Sequence, residues 1–416
     1  LESVKIDIDR ERLSNELDAL GAISQEAPPV VTRVAFTEAD LRGRELVKNL
    51  CREAGLAVRE DAVGNTFARW TGADPELAPV GTGSHIDAIP NAGRFDGTVG
   101  VLGGLEAMRA LMRAGYQPRR SIELIVFTSE EPTRFGIGCL GSRLLSGLLD
   151  PAVADRFQDR DGVLLSDARW AAGFEGPLAT VRLPPGYYSS FVEMHIEQGP
   201  ILERDNVPLG VVTAIAAPAG LKISIVGEGG HAGAVLMPDR HDAFLAAAEI
   251  ALAVEASAKS SGSQDTVGTV GVCEVFPGAV NSVPSRVRME IDVRDIDEVR
   301  RDTVLRKIEL ACEEIARRRG VRAKLELVNA DPPAHCDPQV VDALIQACET
   351  HGLPYERMIS RAYHDSLFMS RFAPTAMLFI PCRGGVSHRP DEYASPEAIA
   401  QGTLVLAETL AQLSSK

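Results

Sequence analysis

The 416-residue chain has no apolar run approaching the length of about 18 residues that a membrane-spanning helix needs. It has no basic cluster either, and its formal net charge of −15 argues against nucleic acid or an anionic membrane as the main partner. There is no C-x-x-C pair. Cys51, Cys139, Cys273, Cys312, Cys336, Cys348 and Cys382 are odd in number and scattered, so they indicate neither a disulfide scaffold nor a zinc ribbon. Reduced, mostly buried thiols are the simpler reading. A G-x-S-x-G elbow is missing, and Cys139 lies in a Gly-rich turn without a sequence-adjacent base, which leaves a serine or cysteine amidase without a visible nucleophile. Internal repeats are absent, and only the short Ser/Gly stretch near 257–264 is biased, as a loop would be. The chain begins at Leu1 rather than Met, as a trimmed leader segment would leave it. What remains is a globular composition, 45% hydrophobic and 24% charged, in a chain too long for one ordinary core.

The first half alternates helices and strands. Thr37 with Asp40 three residues on resembles a helix start, Leu46, Leu50 and Ala54 recur on one stripe, and Gly55 is placed to end the helix. Residues 98–114 predict a second helix with Val101, Leu105, Met108 and Met112 on one stripe. Ile122–Phe127 reads as an interior strand, and His85 follows another short apolar run ending near Val80. Ligands in open α/β sheets gather beyond the carboxyl ends of strands, where Thr128–Glu131 falls.

A different rhythm begins after Gly210. Strands are expected at Leu221–Val226, Val267–Val275, Val287–Val293 and Ala323–Val328, with helices at Asp242–Ala256 and Asp297–Arg319. That order is β-α-β-β-α-β, a ferredoxin-like unit able to fold alone, and Asp331-Pro-Pro333 marks its exit. The expectation is therefore an α/β protein with a discontinuous metal-binding domain of mixed sheet, 1–212 and 331–416, interrupted by a second domain at 213–330. His388 needs the first part for partners.

The chemistry sits in five segments: G-S-H-I-D (83–87), R-F-D-G (94–97), T-S-E-E-P (128–132), E-M-H-I-E-Q-G (193–199) and S-H-R-P (387–390). Two divalent ions sharing a carboxylate need about five hard or borderline donors, plus a carboxylate for the proton of the attacking water. His85, Asp96, Glu130, Glu131, His195 and His388 supply both. Each has a plainer reading alone. A single histidine is more often a hydrogen-bonded structural residue, Asp96-Gly97 is also a turn, and paired acids are usually solvated. Glu130 and Glu131, however, follow an apolar strand and precede Pro132, a poor place for idle charge. Asp87 is a natural partner for His85, fixing its tautomer.

The segments G-S-H-I-D-A-I-P, F-D-G-x-x-G-V, F-T-S-E-E-P-T-R-F-G, E-x-H-I-E-Q-G-P-I-L-E, G-H-A-G and S-H-R-P-D-E-Y resemble the dinuclear-metal, aminoacylase-like amidohydrolases over essentially the whole chain. Within them the likeness is to the ureide-cleaving branch of allantoate, N-carbamoyl-L-amino-acid and ureidoglycolate amidohydrolases. The stretches 210–218, 230–238, 360–369 and 379–393 resemble the plant-type ureidoglycolate group. The resemblance implies hydrolysis of ureidoglycolate to glyoxylate, ammonia and carbon dioxide, with N-carbamoyl-L-amino-acid or allantoate hydrolysis as the alternative. It implies two divalent ions, manganese first and zinc second, with His85 and His195 on one, Glu131 and His388 on the other, and Asp96 bridging. Glu130 would be the general base. His231, reaching the site from the partner of a homodimer formed through the inserted lid domain, would stabilise the oxyanion. Asn281 and Arg294 would grip the substrate, and Gln198 and His364 would line its pocket. Tyr363 departs from the small residue usual before the His in allantoate and carbamoyl hydrolases, and would favour the short ureidoglycolate. For a plant relative the expected address is the endoplasmic reticulum; otherwise it is the cytoplasm.

Overall fold

The computed structural model describes residues 5–416, so Leu1, the starting point of the leader expectation, lies outside the described residues. The chain divides into two units, one of Leu1–Thr213, Cys336–Ser360 and His364–Lys416, the other of Ala214–His335 with Arg361–Tyr363. The second unit's long segment thus ends at His335 rather than 330, because Ala334 and His335 pair antiparallel with Ile215 and Ala214.

Four parallel strands form the middle of the first unit's sheet, in the order Thr375–Ile380, Ser190–Ile196, Val80–His85, Ile122–Phe127. All four are buried along their whole length. Antiparallel strands extend it on both sides, Leu209–Ile215 beside Thr375–Ile380, and Thr66–Trp70 then Ala57–Glu60 beside Ile122–Phe127. The sheet is therefore mixed, as expected.

Val80–His85 corrects the sequence reading, which put His85 after an apolar run ending near Val80. The strand starts at Val80 and runs through Gly81, Thr82, Gly83 and Ser84 to His85 itself. Its residues are small because neighbouring strands press on it. A Cβ at Gly83, where φ is +145°, would lie 1.9 Å from the carbonyl oxygen of Ile125. No apolar pattern marks such a strand.

The helix Glu38–Glu53 begins as expected, Thr37 capping the N–H of Asp40, and ends at Gly55 with a φ of +79°. Its buried face is a different one. Ala39, Gly43, Val47 and Cys51 are buried, whereas Leu46 and Leu50 are only half-buried. The difference arises at Asp40 and Arg44, an internal ion pair with side chains 0% and 1% exposed, which draws that face inward. Thr98–Arg113 is buried nearly all round, packed against both Val80–His85 and the helix Pro396–Ser414. No helix among the described residues is long and apolar enough to cross a membrane.

The second unit has the expected six elements: Ala217–Val226, Ala243–Lys259, Val267–Phe276, Arg286–Asp295, Glu298–Arg319 and Arg322–Ala330. Its four strands are antiparallel neighbours in the order third-element, fourth, first, last. Leu221, Ile223 and Ile225 alternate inward with Val287, Met289, Ile291 and Val293, and both helices cover that face. The first helix runs three residues beyond the expected Ala256, so 257–259 are helical and only the rest of the Ser/Gly stretch is turn. Alanine-rich sequence carries the helix on until Ser260 and Gly262.

Candidate metal centre and active site

The histidine and glutamate candidates lie at or beyond the carboxyl ends of parallel strands, the place where ligands gather in such sheets. His85 closes Val80–His85, and His195 is the penultimate residue of Ser190–Ile196. Glu130 and Glu131 follow Ile122–Phe127, and His388 lies in the loop after Thr375–Ile380. Asp96 precedes the helix Thr98–Arg113, and Gly97 between them has a φ of +66°. A Cβ on Gly97 would meet the His85 ring at 2.5 Å, so only glycine lets this turn approach.

Asp96 stands between two donor sets. Its Oδ1 lies 3.4 Å from His85 Nε2 and 3.2 Å from His195 Nε2. Its Oδ2 lies 3.5 Å from His388 Nε2, which is itself 3.1 Å from Glu131 Oε1. The donor atoms of His85, Asp96 and His195, and of Asp96, Glu131 and His388, each cluster within 4.8 Å of one another. Each oxygen of one carboxylate faces its own set.

The ring nitrogens on the far side are already committed. His85 Nδ1 meets the carbonyl of Asp87 at 3.0 Å, and His195 Nδ1 meets that of Ile196 at 2.8 Å. Both rings thereby turn Nε2 toward Asp96, the tautomer and orientation a metal ligand needs. Imidazole and carboxylate donors in this arrangement fit divalent manganese or zinc. A third cluster, Glu193, His195 and His364, is different. Glu193 is occupied by Ser84 Oγ at 2.7 Å and by the N–H and Oγ of Ser366, and serves as a buried anchor for those segments.

Asp87 does something the sequence reading missed. Its carbonyl, not its carboxylate, takes His85, the carboxylate being 3.7 Å away. The carboxylate accepts the backbone N–H of Glu130 at 3.2 Å and of Glu131 at 3.1 Å. Burial pushes this carboxyl up to about 6.

Glu130 is 7% exposed and its Oε2 lies 3.8 Å from His85 Nε2. Burial, with Glu131, Asp365 and Asp87 adding to it and His85 opposing, holds its carboxyl well above the usual range. That is the direction a proton acceptor working near neutrality requires. Cys139 Sγ donates to Glu130 Oε1 at 3.5 Å, and burial keeps this thiol protonated well above its ordinary range. A buried, protonated thiol is a poor nucleophile. Burial opposes charge on His85, but Glu130, Asp96 and Asp87 together raise it well above normal. The hydrogen bond to Glu131 raises His388 to about 9. Asp96 is held well below the carboxylate range because His195 and His85 outweigh its burial.

Gln198 Nε2 donates to Asp96 Oδ2 at 2.5 Å. His364 is buried with its ring 4.5 Å from that of His195, and its Nε2 is 3.1 Å from Ser360 Oγ. Ser129, Cys139, Gln198 and His388 all have φ between 54° and 59°, a left-handed backbone that costs non-glycine residues energy and gathers at functional sites.

The remaining candidates lie in the second unit. His231 is exposed on a two-residue ribbon paired with Ser282, and Ala232 N–H donates to the carbonyl of Asn281, so these two candidates are neighbours. Arg294 pairs with both oxygens of Asp292 at 2.9 Å and lies over the ring of Tyr363, 5.6 Å from its centroid. Sequence reasoning also passed over Ser387, Glu392 and Asp365. Ser387 contacts Asp96 Oδ2, and Asp365 accepts from Ser142 Oγ at 2.5 Å. All three adjoin or belong to motifs already singled out, and that adjacency was the available signal.

Two donor sets sharing one carboxylate at the mouth of a parallel sheet, with a spare buried glutamate alongside, define a metal-dependent hydrolase. The chain belongs to peptidase family M20/M25/M40, whose sequence pattern matches residues 81–412. It is 54% identical to a ureidoglycolate hydrolase of Arabidopsis thaliana over 98% of this chain and 87% of that one. It is 39% identical to an N-carbamoyl-L-amino acid amidohydrolase of Geobacillus stearothermophilus, over 98% and 99%. A crystal structure of AtUAH in complex with glyoxylate superposes with a TM-score of 0.91 at 53% identity, covering 99% of each chain.

Proposed function

We propose that this chain hydrolyses ureidoglycolate, yielding glyoxylate, ammonia and carbon dioxide. The observation that carries the reading is the position of Asp96, one oxygen toward His85 and His195 and the other toward His388, with Glu130 beside them. The substrate class is supported by the curated ureidoglycolate hydrolases at 54% and 52% identity and by related structures in complex with glyoxylate and (S)-hydroxyglycine.

His85, His195 and Asp96 would hold one divalent ion, and Asp96, Glu131 and His388 the other, manganese being the first choice and zinc the second. Such ions, when bound, polarise the ureido carbonyl and acidify the attacking water. Glu130 takes the proton from that water and delivers it to the departing nitrogen. Water adds to the ureido carbon and its bond to the terminal nitrogen breaks, releasing ammonia; the carbamate that remains then loses carbon dioxide by breaking its other C–N bond. The amine that remains, hydroxyglycine, loses a second ammonia to give glyoxylate.

Arg294 and Asn281 recognise the carboxylate and ureido ends, with Gln198, His364 and Tyr363 shaping the pocket. His231 donates to the developing oxyanion from the partner subunit of a homodimer formed through the second unit. The deciding experiment reconstitutes the protein with manganese and compares ureidoglycolate, allantoate and several N-carbamoyl-L-amino acids. Ureidoglycolate should have the highest kcat/KM. A preference for a carbamoyl amino acid would overturn the substrate assignment.

A further inference from the structure

The turn that carries Asp96 and the loop that carries His388 lie far apart in the sequence, and Glu392 ties the one to the other. Glu392 Oε1 accepts the backbone N–H of Phe95 at 2.7 Å, 297 residues away, and that of Asp96 at 3.1 Å. Its Oε2 meets the hydroxyl of Ser387 at 2.9 Å, and the same hydroxyl contacts Asp96 Oδ2. Glu392 is 5% exposed, and room for it is made by Gly93, where a Cβ would lie 2.3 Å from the Glu392 Cβ.

The two donor sets differ in what else restrains them. His85 and His195 sit in buried strands with their rings tied to backbone carbonyls. Asp96 is also fixed by its place at the helix start, its carbonyl accepting Thr98 N–H at 2.7 Å. His388 lies in a loop rather than a strand and meets Glu131 through Nε2, while 44% of its side chain is exposed and its φ is 59°. A strained backbone persists only where its surroundings over-determine it.

We propose that Glu392 is the positioning residue that holds the His388 loop in register with Asp96. The ion at Asp96, Glu131 and His388 therefore depends on Glu392, whereas the ion at His85, Asp96 and His195 does not. This rests on the two-ion reading of the donor sets.

Side-chain chemistry separates positioning from mere bulk. The amide oxygen of a glutamine accepts both N–H groups and its NH2 can donate to Ser387, so Glu392→Gln keeps every contact. Glu392→Ala keeps none, and Gly93→Ala displaces Glu392 without altering it. The test loads each protein with manganese, removes free ion by desalting, and measures metal per chain, with thermal unfolding to verify the fold. Wild type and Glu392→Gln should retain two equivalents. Glu392→Ala and Gly93→Ala should retain one, with the other weakened about 10- to 100-fold, matching His388→Ala. If Glu392→Ala is unstable, Gly93→Ala carries the comparison. Two tightly held ions in folded Glu392→Ala or Gly93→Ala, with one in His388→Ala, overturns the positioning role alone. Two in His388→Ala as well overturns the assignment of His388 to the second ion, and only one in wild type overturns the two-ion reading; either removes this inference.

Discussion

Asp87 gives one carboxylate oxygen to the backbone N–H of Glu131 at 3.1 Å, across 44 residues of sequence. Its other oxygen holds Glu130 in the same way, and its carbonyl orients His85. One residue thus sets a metal donor, the proposed base and a second donor relative to each other. Replacing Asp87 with Ala leaves two buried N–H groups unpaired, and each such group costs about 1–3 kcal/mol. The expected result is metal affinity lower by about 10- to 100-fold together with a fall in kcat. Calorimetric manganese titration beside steady-state kinetics measures both; unchanged affinity and kcat would contradict the role.

Glu130 is proposed to move a proton and not to bind metal, so the two functions should separate. Glu130→Gln should retain its full metal content while kcat drops by about 10²- to 10⁴-fold. Elemental analysis and turnover on ureidoglycolate are sufficient. Wild-type turnover in the Gln variant would remove Glu130 from the mechanism.

The strand that delivers His85 is the one whose neighbours leave it least room. Gly83→Ala would force a methyl to 1.9 Å from Ile125 O at a φ of +145°. A displaced central strand is expected to cost more than about 4 kcal/mol, beyond the ordinary range for single substitutions. Denaturant unfolding should show the loss, or the variant should fail to accumulate as folded protein.

These positions also show what the sequence could and could not reveal. Apolar runs such as Ile122–Phe127 and the alternation of Leu221–Val226 announce their elements, because burial and period leave a visible pattern. Val80–His85 leaves none, since close packing selects glycine and serine there. The metal-type donors were legible through residue type and motif. The groups that aim them were harder to see: Asp87, Glu193 and Glu392 act on backbone or hydroxyl groups dozens to hundreds of residues away, and no local spacing encodes that. The face of one helix was misread for a related reason. An Asp40–Arg44 ion pair turned the Glu38–Glu53 helix away from its leucine stripe.

Tyr363 is half-buried beneath the guanidinium of Arg294, which also donates to the carbonyl of Arg361 at 3.3 Å. A cation over a phenol ring contributes about 0.5–2 kcal/mol and restrains both groups. If the phenol narrows the pocket for a short substrate, Tyr363→Gly should raise the allantoate-to-ureidoglycolate ratio of kcat/KM, with about tenfold for each 1.4 kcal/mol of lost discrimination. The same assay on both substrates settles it, and an unchanged ratio would dismiss the idea.

His231 allows a test in which two inactive proteins restore each other. If it serves the partner's site, a dimer of one His231→Ala chain and one Glu130→Gln chain contains one complete site. That site takes its Glu130 from the first chain and its His231 from the second. The other site of the same dimer lacks both. Random exchange of equal amounts makes half the dimers mixed, each with one working site of two, so activity should recover to about a quarter of wild type. Action within one subunit predicts no recovery, because every site would then lack one of the two residues. Mixing the purified variants under subunit-exchange conditions and assaying ureidoglycolate turnover distinguishes these outcomes, with each variant alone as the baseline.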